Sequence, residues 1–428
     1  MKKTIFMFLL IATLVITAIT VSADEMPKMI RVGLYFGSSS LAEASVSADG
    51  GVYVYADEED LGWQEKASVA INDSQWHISG GENEITSDAD KITISSAGGF
   101  LTINGKQYRG EIELARNNEK ITVVNHLDIE DYLYGVVPLE MATGWHIEAL
   151  KTQAVCARTY AIKSLGKYMS QGFDVYNTTM SQVYGGVSVE KDDCTAAVDE
   201  TRGIVITYDG KLIDAVYSSA SSNFHTFSNK DVWGSDTPYL VGVEDTYQQL
   251  VKPDSSAWKK TFTLSELEAI LESKEINIGG LNDVVIDSVS ADGAVTSLTF
   301  VGENGIHTVK KDSARTFLNL RSQGYTITKE GAKTPVSVLS SKGVSTENDV
   351  VSIGKEGNLG SLSYILNNQG QTFKIKQSGF KSITLNGSGY GHGLGMSQWG
   401  AYGMAKSGFS FEEIIKHYYQ GVELTITE

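Results

Sequence analysis

Hydrophobic and polar positions alternate over much of this chain, and short turn signals interrupt the alternation again and again. ITISSAGGFLTING, GIVITYDGKLIDAVY and VTSLTFVGENGIHTVK each place β-branched or aromatic residues around an Asn-Gly or Asp-Gly pair. These pairs are Asn104-Gly105, Asp209-Gly210 and Asn304-Gly305, and Asp292-Gly293 is a fourth with similar flanks. Such pairs supply the positive φ angles that tight hairpins need, so these segments are predicted to be strand–turn–strand units. A helical period is rarer. From Trp145 to Leu165 the apolar positions Ile147, Leu150, Ala154, Ala157, Ala161 and Leu165 recur near every 3.6 residues, which predicts a helix. Thr263 with Glu266, and Ser410 with Glu413, have capping-box spacing ahead of LSELEAILES and FEEIIKHYY; Gly421 closes the second. Ser313–Gln323 is a further predicted helix. The fold class is therefore α+β with mostly antiparallel strands.

With 428 residues, more than one structural unit is expected. Residues 1–23 have the charged start (Lys2, Lys3), apolar middle and Val21-Ser22-Ala23 ending of a secretory signal peptide; an uncleaved anchor is the alternative. The protein is thus expected outside the cytoplasm, secreted or in the cell wall, touching membrane only through that segment if it is retained. The rest divides into a β-rich part (24–99), a core in two pieces (100–257 and 380–428) and an insertion (258–379). Within the insertion, the Ser/Thr/Lys/Gly-rich tract Lys329–Asp349 reads as a linker or long loop. The 35 basic and 52 acidic residues give a net charge of −17, which argues against nucleic acid as a partner. Cys156 and Cys194 could form one disulfide, but two small buried apolar side chains is the simpler reading.

Chemistry concentrates in two places. Glu140 lies in an apolar turn (Val136, Val137, Pro138, Leu139, Met141) just before the predicted helix. A carboxyl group among apolar neighbours can stay protonated and act as a general acid; the plainer reading is an ionised Glu at a positive helix end. Lys151 and Arg158 fall on one face of that helix, two turns apart. A cation touching Glu140 would lower its pKa and oppose acid catalysis, so substrate contacts suit the pair better. The second place is GSGYGHGLGMSQWG, from Gly387 to Gly400. No Lys-Ser/Thr follows its glycines, so it is no phosphate loop, and Trp399 stands where a serine-hydrolase elbow needs Gly. Alternating glycines instead let backbone pack closely, leaving His392, Ser397 and Gln398 as polar groups and Tyr390 and Trp399 as stacking faces.

The wording of four segments is more specific than their spacing. DIEDYLYGVVPLEMATGWHIEALKTQAVCARTYAI, NTTMSQVYGG, YSSASSNFHT and GSGYGHGLGMSQWGAYG resemble, in order, motifs of the stage II sporulation protein D family. The resemblance implies a peptidoglycan lytic transglycosylase that cuts the β-1,4 bond from N-acetylmuramic acid to N-acetylglucosamine. Glu140 would be its catalytic acid/base. Lys151, Arg158, Tyr184, Tyr217, Ser218, His225, His392 and Gln398 would line the substrate groove. It further implies glycan strands already stripped of peptide, with an N-acetylmuramoyl-L-alanine amidase as partner. The alternative is a non-catalytic wall protein that enhances an amidase. Some members bind zinc through cysteines in the segment matching Tyr176–Gln182; here Tyr176 and Ser181 stand in it, so no metal and no cofactor are expected.

Overall fold

The computed structural model describes residues 28–80, 84–252, 256–331 and 380–426, and the backbone of four short strands between 336 and 375. The expected signal peptide lies outside the described residues. The architecture is α+β, and its strands pair antiparallel almost throughout.

The largest element is an 11-stranded sheet whose strands come from both sides of Gly99. Toward one side of it, Met29–Tyr35 pairs with Lys120–Asp128, and Lys120–Asp128 with Glu111–Asn117. Period-two patterning holds in the interior strand Glu43–Ala56: Val52 and Val54 are buried while Tyr53 points outward. Lys120–Asp128 is instead buried on both faces, which suits its run of Ile121, Val123, Val124 and Leu127.

Two short helices, Ile129–Tyr134 and Val137–Glu140, leave this sheet and lead to the long helix Ile147–Lys163. Asp128 caps the first by accepting from the Glu130 amide at 2.8 Å. The long helix is covered on most sides, and its Ala149, Ala154, Ala157 and Ala161 let neighbours approach closely. Against it pack Asp192–Glu200, Gln398–Lys406 and Phe411–Tyr418. Ser410 and Glu413 form the predicted capping box, as do Thr263 and Glu266 ahead of Leu264–Ser273. Cys156 and Cys194 are both buried free thiols.

A second core gathers Trp258, Phe262, Leu267, Val284, Phe300, Leu318 and Ile383. It lies under a sheet of Ala257–Thr263, Ser382–Ser388 and Tyr325–Glu330, and beside a meander of Leu281–Val289, Val295–Gly302 and Ile306–Lys310. The helix predicted over Ser313–Gln323 is only Ser313–Thr316. Asn319 turns to φ +50, and the Leu320 amide closes back on the Arg315 carbonyl at 3.0 Å, a helix-terminating turn that buries Leu318 and Leu320. Within the tract expected as a linker, the described backbone pairs Val336–Ser340 with Gly343–Glu347.

Candidate active site

Glu140 is the last residue of the four-residue helix Val137–Glu140, well before the long helix, whose N-cap is His146. Its carboxylate therefore does not sit at that helix's positive end. One oxygen accepts from the Val183 amide at 3.1 Å, the other from Gln398 Nε2 at 3.3 Å, and the Tyr217 hydroxyl is a third hydrogen-bond partner. Burial raises the carboxyl pKa above its ordinary value, and the three donors only partly offset it. All three donors are neutral, so the conflict posed by a neighbouring cation does not arise.

These donors are themselves held. Gln182 Nε2 donates to the Tyr217 hydroxyl at 2.9 Å, and the Tyr132 hydroxyl donates to Gln182 Oε1 at 3.2 Å. With its oxygen already accepting, Tyr217 directs its own proton toward Glu140. Burial, then the Glu140 charge, raises the Tyr217 pKa well above that of an ordinary phenol, so the group stays a donor. Gln398 opens the helix Gln398–Lys406, is 6% exposed, and also bonds Gln153 Oε1 at 3.2 Å.

The glycine alternation is what lets these segments meet. Tyr217 and Ser218 run parallel to Met396 and Ser397. Gly391 and Gly393 hold φ angles of +111° and +76°, and a Cβ there would lie 2.6 Å from Ser218 Cβ and from the Phe227 ring, respectively. Ser397 caps the following helix through the Gly400 amide at 3.1 Å and thereby orients Gln398.

Other expected groove residues are placed differently. Arg158 is 1% exposed. Its Nε and Nη2 grip Glu130 at 2.7 and 2.6 Å, and the Ile204 and Val198 carbonyls take two further bonds at 3.2 Å. It is an internal tie between the sheet exit and the long helix, and the expectation of a substrate contact does not fit that placement. The face of the helix was legible from spacing, but not that Glu130 and Asp192–Glu200 cover it. Tyr184 is likewise buried and donates to Asn125 Oδ1 at 2.8 Å. Lys151 is partly exposed and paired with Glu148 at 3.1 Å and Glu200 at 2.7 Å. His225 bonds the Thr226 carbonyl at 2.6 Å and faces Asp292 at 3.9 Å. His392 Nδ1 accepts from the Leu394 amide at 3.0 Å, and its ring also bonds the Tyr217 backbone. Burial and Arg315 lower its pKa to about 4, so it is neutral near pH 7.

Sequence reasoning missed Gln153, Gln182 and the Val183 amide. Gln182 lies inside the NTTMSQVYGG motif, so that segment could have supplied it. A backbone amide leaves no trace in a sequence. Trp145, Trp399 and Tyr402 also form one aromatic cluster, with Trp145 stacked on Tyr402 at 4.5 Å and tilted against Trp399 at 4.6 Å.

Residues 117–208, which contain Glu140, Gln153 and Gln182, match the model of the SpoIID family, stage II sporulation protein. An uncharacterized protein of Brachyspira hyodysenteriae is 36% identical over 80% of this chain and 78% of its own length. Stage II sporulation protein D of Bacillus subtilis is 28% identical over 71% of this chain and 76% of its own. The chain belongs to the stage II sporulation protein D family. Another member, the amidase enhancer of Bacillus subtilis, is 31% identical over 90% of this chain, which spans about half (52%) of that longer protein. Membership accounts for the four motifs together, three of which supply the groups converging on Glu140.

Proposed function

We propose that this protein is an exported peptidoglycan lytic transglycosylase acting on peptide-stripped glycan strands. The observation that carries the reading is Glu140: a carboxyl group with a raised pKa, held by three neutral donors, inside the segment that matches the stage II sporulation protein family. Glu140 donates its proton to the oxygen leaving with N-acetylglucosamine as the bond from muramic C1 breaks. The muramic 6-hydroxyl attacks C1 and gives its proton to the Glu140 carboxylate, which restores the acid. The product is a 1,6-anhydro end, and no water is consumed. Gln398, Tyr217 and the Val183 amide hold the carboxyl in place through both transfers.

The test is to incubate the protein, without its first 23 residues, with peptide-stripped glycan and look for anhydromuramic ends by mass spectrometry. Anhydro ends support the reading; intact strands contradict it. A second reading rests on the amidase enhancer among the relatives: the protein binds glycan or an amidase and cuts nothing. It predicts faster peptide release when the protein is added to an amidase, with glycan length unchanged.

The pH profile offers a finer check. Turnover should fall as pH rises through the raised pKa of Glu140, because the deprotonated form cannot protonate the leaving oxygen. Tyr217→Phe removes a donor that favours the carboxylate, so the falling limb should move to higher pH while maximal turnover drops. Lys151→Met, which removes a cation paired with Glu148 and Glu200, should leave the limb where it is.

A further inference from the structure

Trp233 is an unusual side chain to leave in solvent: it is 45% exposed, at the end of the short helix Asn229–Val232. Its backbone is fixed, since its amide and that of Gly234 both donate to the Asn229 carbonyl, at 2.9 and 2.8 Å. One side of its ring packs on His392, with centroids 5.2 Å apart. His392 in turn bonds the Tyr217 backbone, and Tyr217 bonds Glu140. The indole is thus continuous with the candidate active site through two contacts.

The inserted unit meets this helix end. The Asp312 amide donates to the Val232 carbonyl at 2.9 Å. The Lys311 ammonium fills the space that a side chain at Gly234 would need. Nearby acids are committed elsewhere: Asp312 binds Arg315 at 2.8 Å, and Asp231 accepts from Ser228 Oγ at 2.7 Å. Lys311 has no carboxylate partner among the described residues. A half-exposed indole, with an ammonium lodged where a side chain on the next residue would stand, suits a sugar ring that carries a carboxylate, and does so in a chain of net charge −17.

We propose that Trp233 and Lys311 form a saccharide subsite for a second N-acetylmuramic acid residue of the same strand, with Trp233 under the ring and Lys311 on the free lactyl carboxylate. The inserted unit is then part of the substrate site. Peptide removal exposes the lactyl carboxylate, so the subsite reads the stripped state of the strand. The inference rests on the glycan reading above but not on bond cleavage, and binding tests it separately.

The experiment uses the full mature chain with Glu140→Gln, so that no ligand is consumed, and measures dissociation constants for peptide-stripped glycan strands and for neutral chitin oligosaccharides. Trp233→Ala should weaken both by about tenfold, and Trp233→Phe should recover most of the loss. Lys311→Met should weaken only the carboxylate-bearing strands, by roughly tenfold, and should flatten the salt dependence of their binding. Circular dichroism on each variant checks that the fold is kept. Unchanged binding in Trp233→Ala, or equal losses on both ligands in Lys311→Met, overturns the subsite. If these losses appear while the Glu140 protein makes no anhydro ends, the subsite stands and the catalytic reading falls.

Discussion

Replacing Glu140 by Gln should lower the rate of glycan cleavage by about 10² to 10⁴-fold, the range a positioned general acid contributes. Gln keeps the shape and can still bond its neighbours after a side-chain amide rotation, but it has no proton to give to the leaving oxygen. Binding of stripped glycan should change little, because the proposed saccharide contacts at Trp233 and Lys311 do not involve the Glu140 carboxyl. The loss should therefore fall on kcat rather than on KM. A variant that cuts at the parent rate would remove the residue from the mechanism. One that loses binding as strongly as turnover would recast Glu140 as a recognition group.

The second large effect concerns stability. Arg158 and Glu130 form a bidentate pair in which the guanidinium is 1% exposed. Arg158→Met leaves the largely buried Glu130 carboxylate without its partner and frees the Ile204 and Val198 carbonyls. The cost should be about 3–5 kcal/mol, read as a lower midpoint in urea or thermal unfolding. Glu130→Gln should destabilise similarly, because it strands the cation instead. Substituting both residues with apolar groups of similar size should recover much of the loss, since the pair's attraction mostly offsets its own desolvation. An Arg158→Met protein of unchanged stability but raised KM would restore the residue to the substrate groove.

Arg158 also shows how far the chain can be read without its structure. Helical spacing correctly put Lys151 and Arg158 on one helix, yet spacing carries no information about what packs on a given face. Glu130, the group that decides the role of Arg158, lies 28 residues away in the first turn of the short helix Ile129–Tyr134. Glu140 and Gln398 were legible because their motifs are distinctive. Their meeting was not, for it depends on the parallel pairing of Tyr217–Ser218 with Met396–Ser397 across a long stretch of chain. Turn signals divided in the same way. Asn104-Gly105 and Asp209-Gly210 make the tight hairpins expected, with positive φ at all four residues. Asn304-Gly305 does connect two paired strands, but with ordinary φ angles: the Glu303 and Asn304 amides are drawn onto the Gly280 and Ile278 carbonyls, at 3.0 and 2.8 Å. A local signal sets a turn only where no neighbouring segment competes for its backbone.

The account depends on a carboxyl group that keeps its proton more tightly than free glutamate does. Titration of Glu140 by carbon-13 NMR of the side-chain carboxyl, in protein without ligand, measures this directly. The midpoint should lie above the value of about 4.3 found in model peptides, and should rise further in Tyr217→Phe. A midpoint at or below that value, unmoved by Tyr217→Phe, would contradict a proton held for the leaving oxygen.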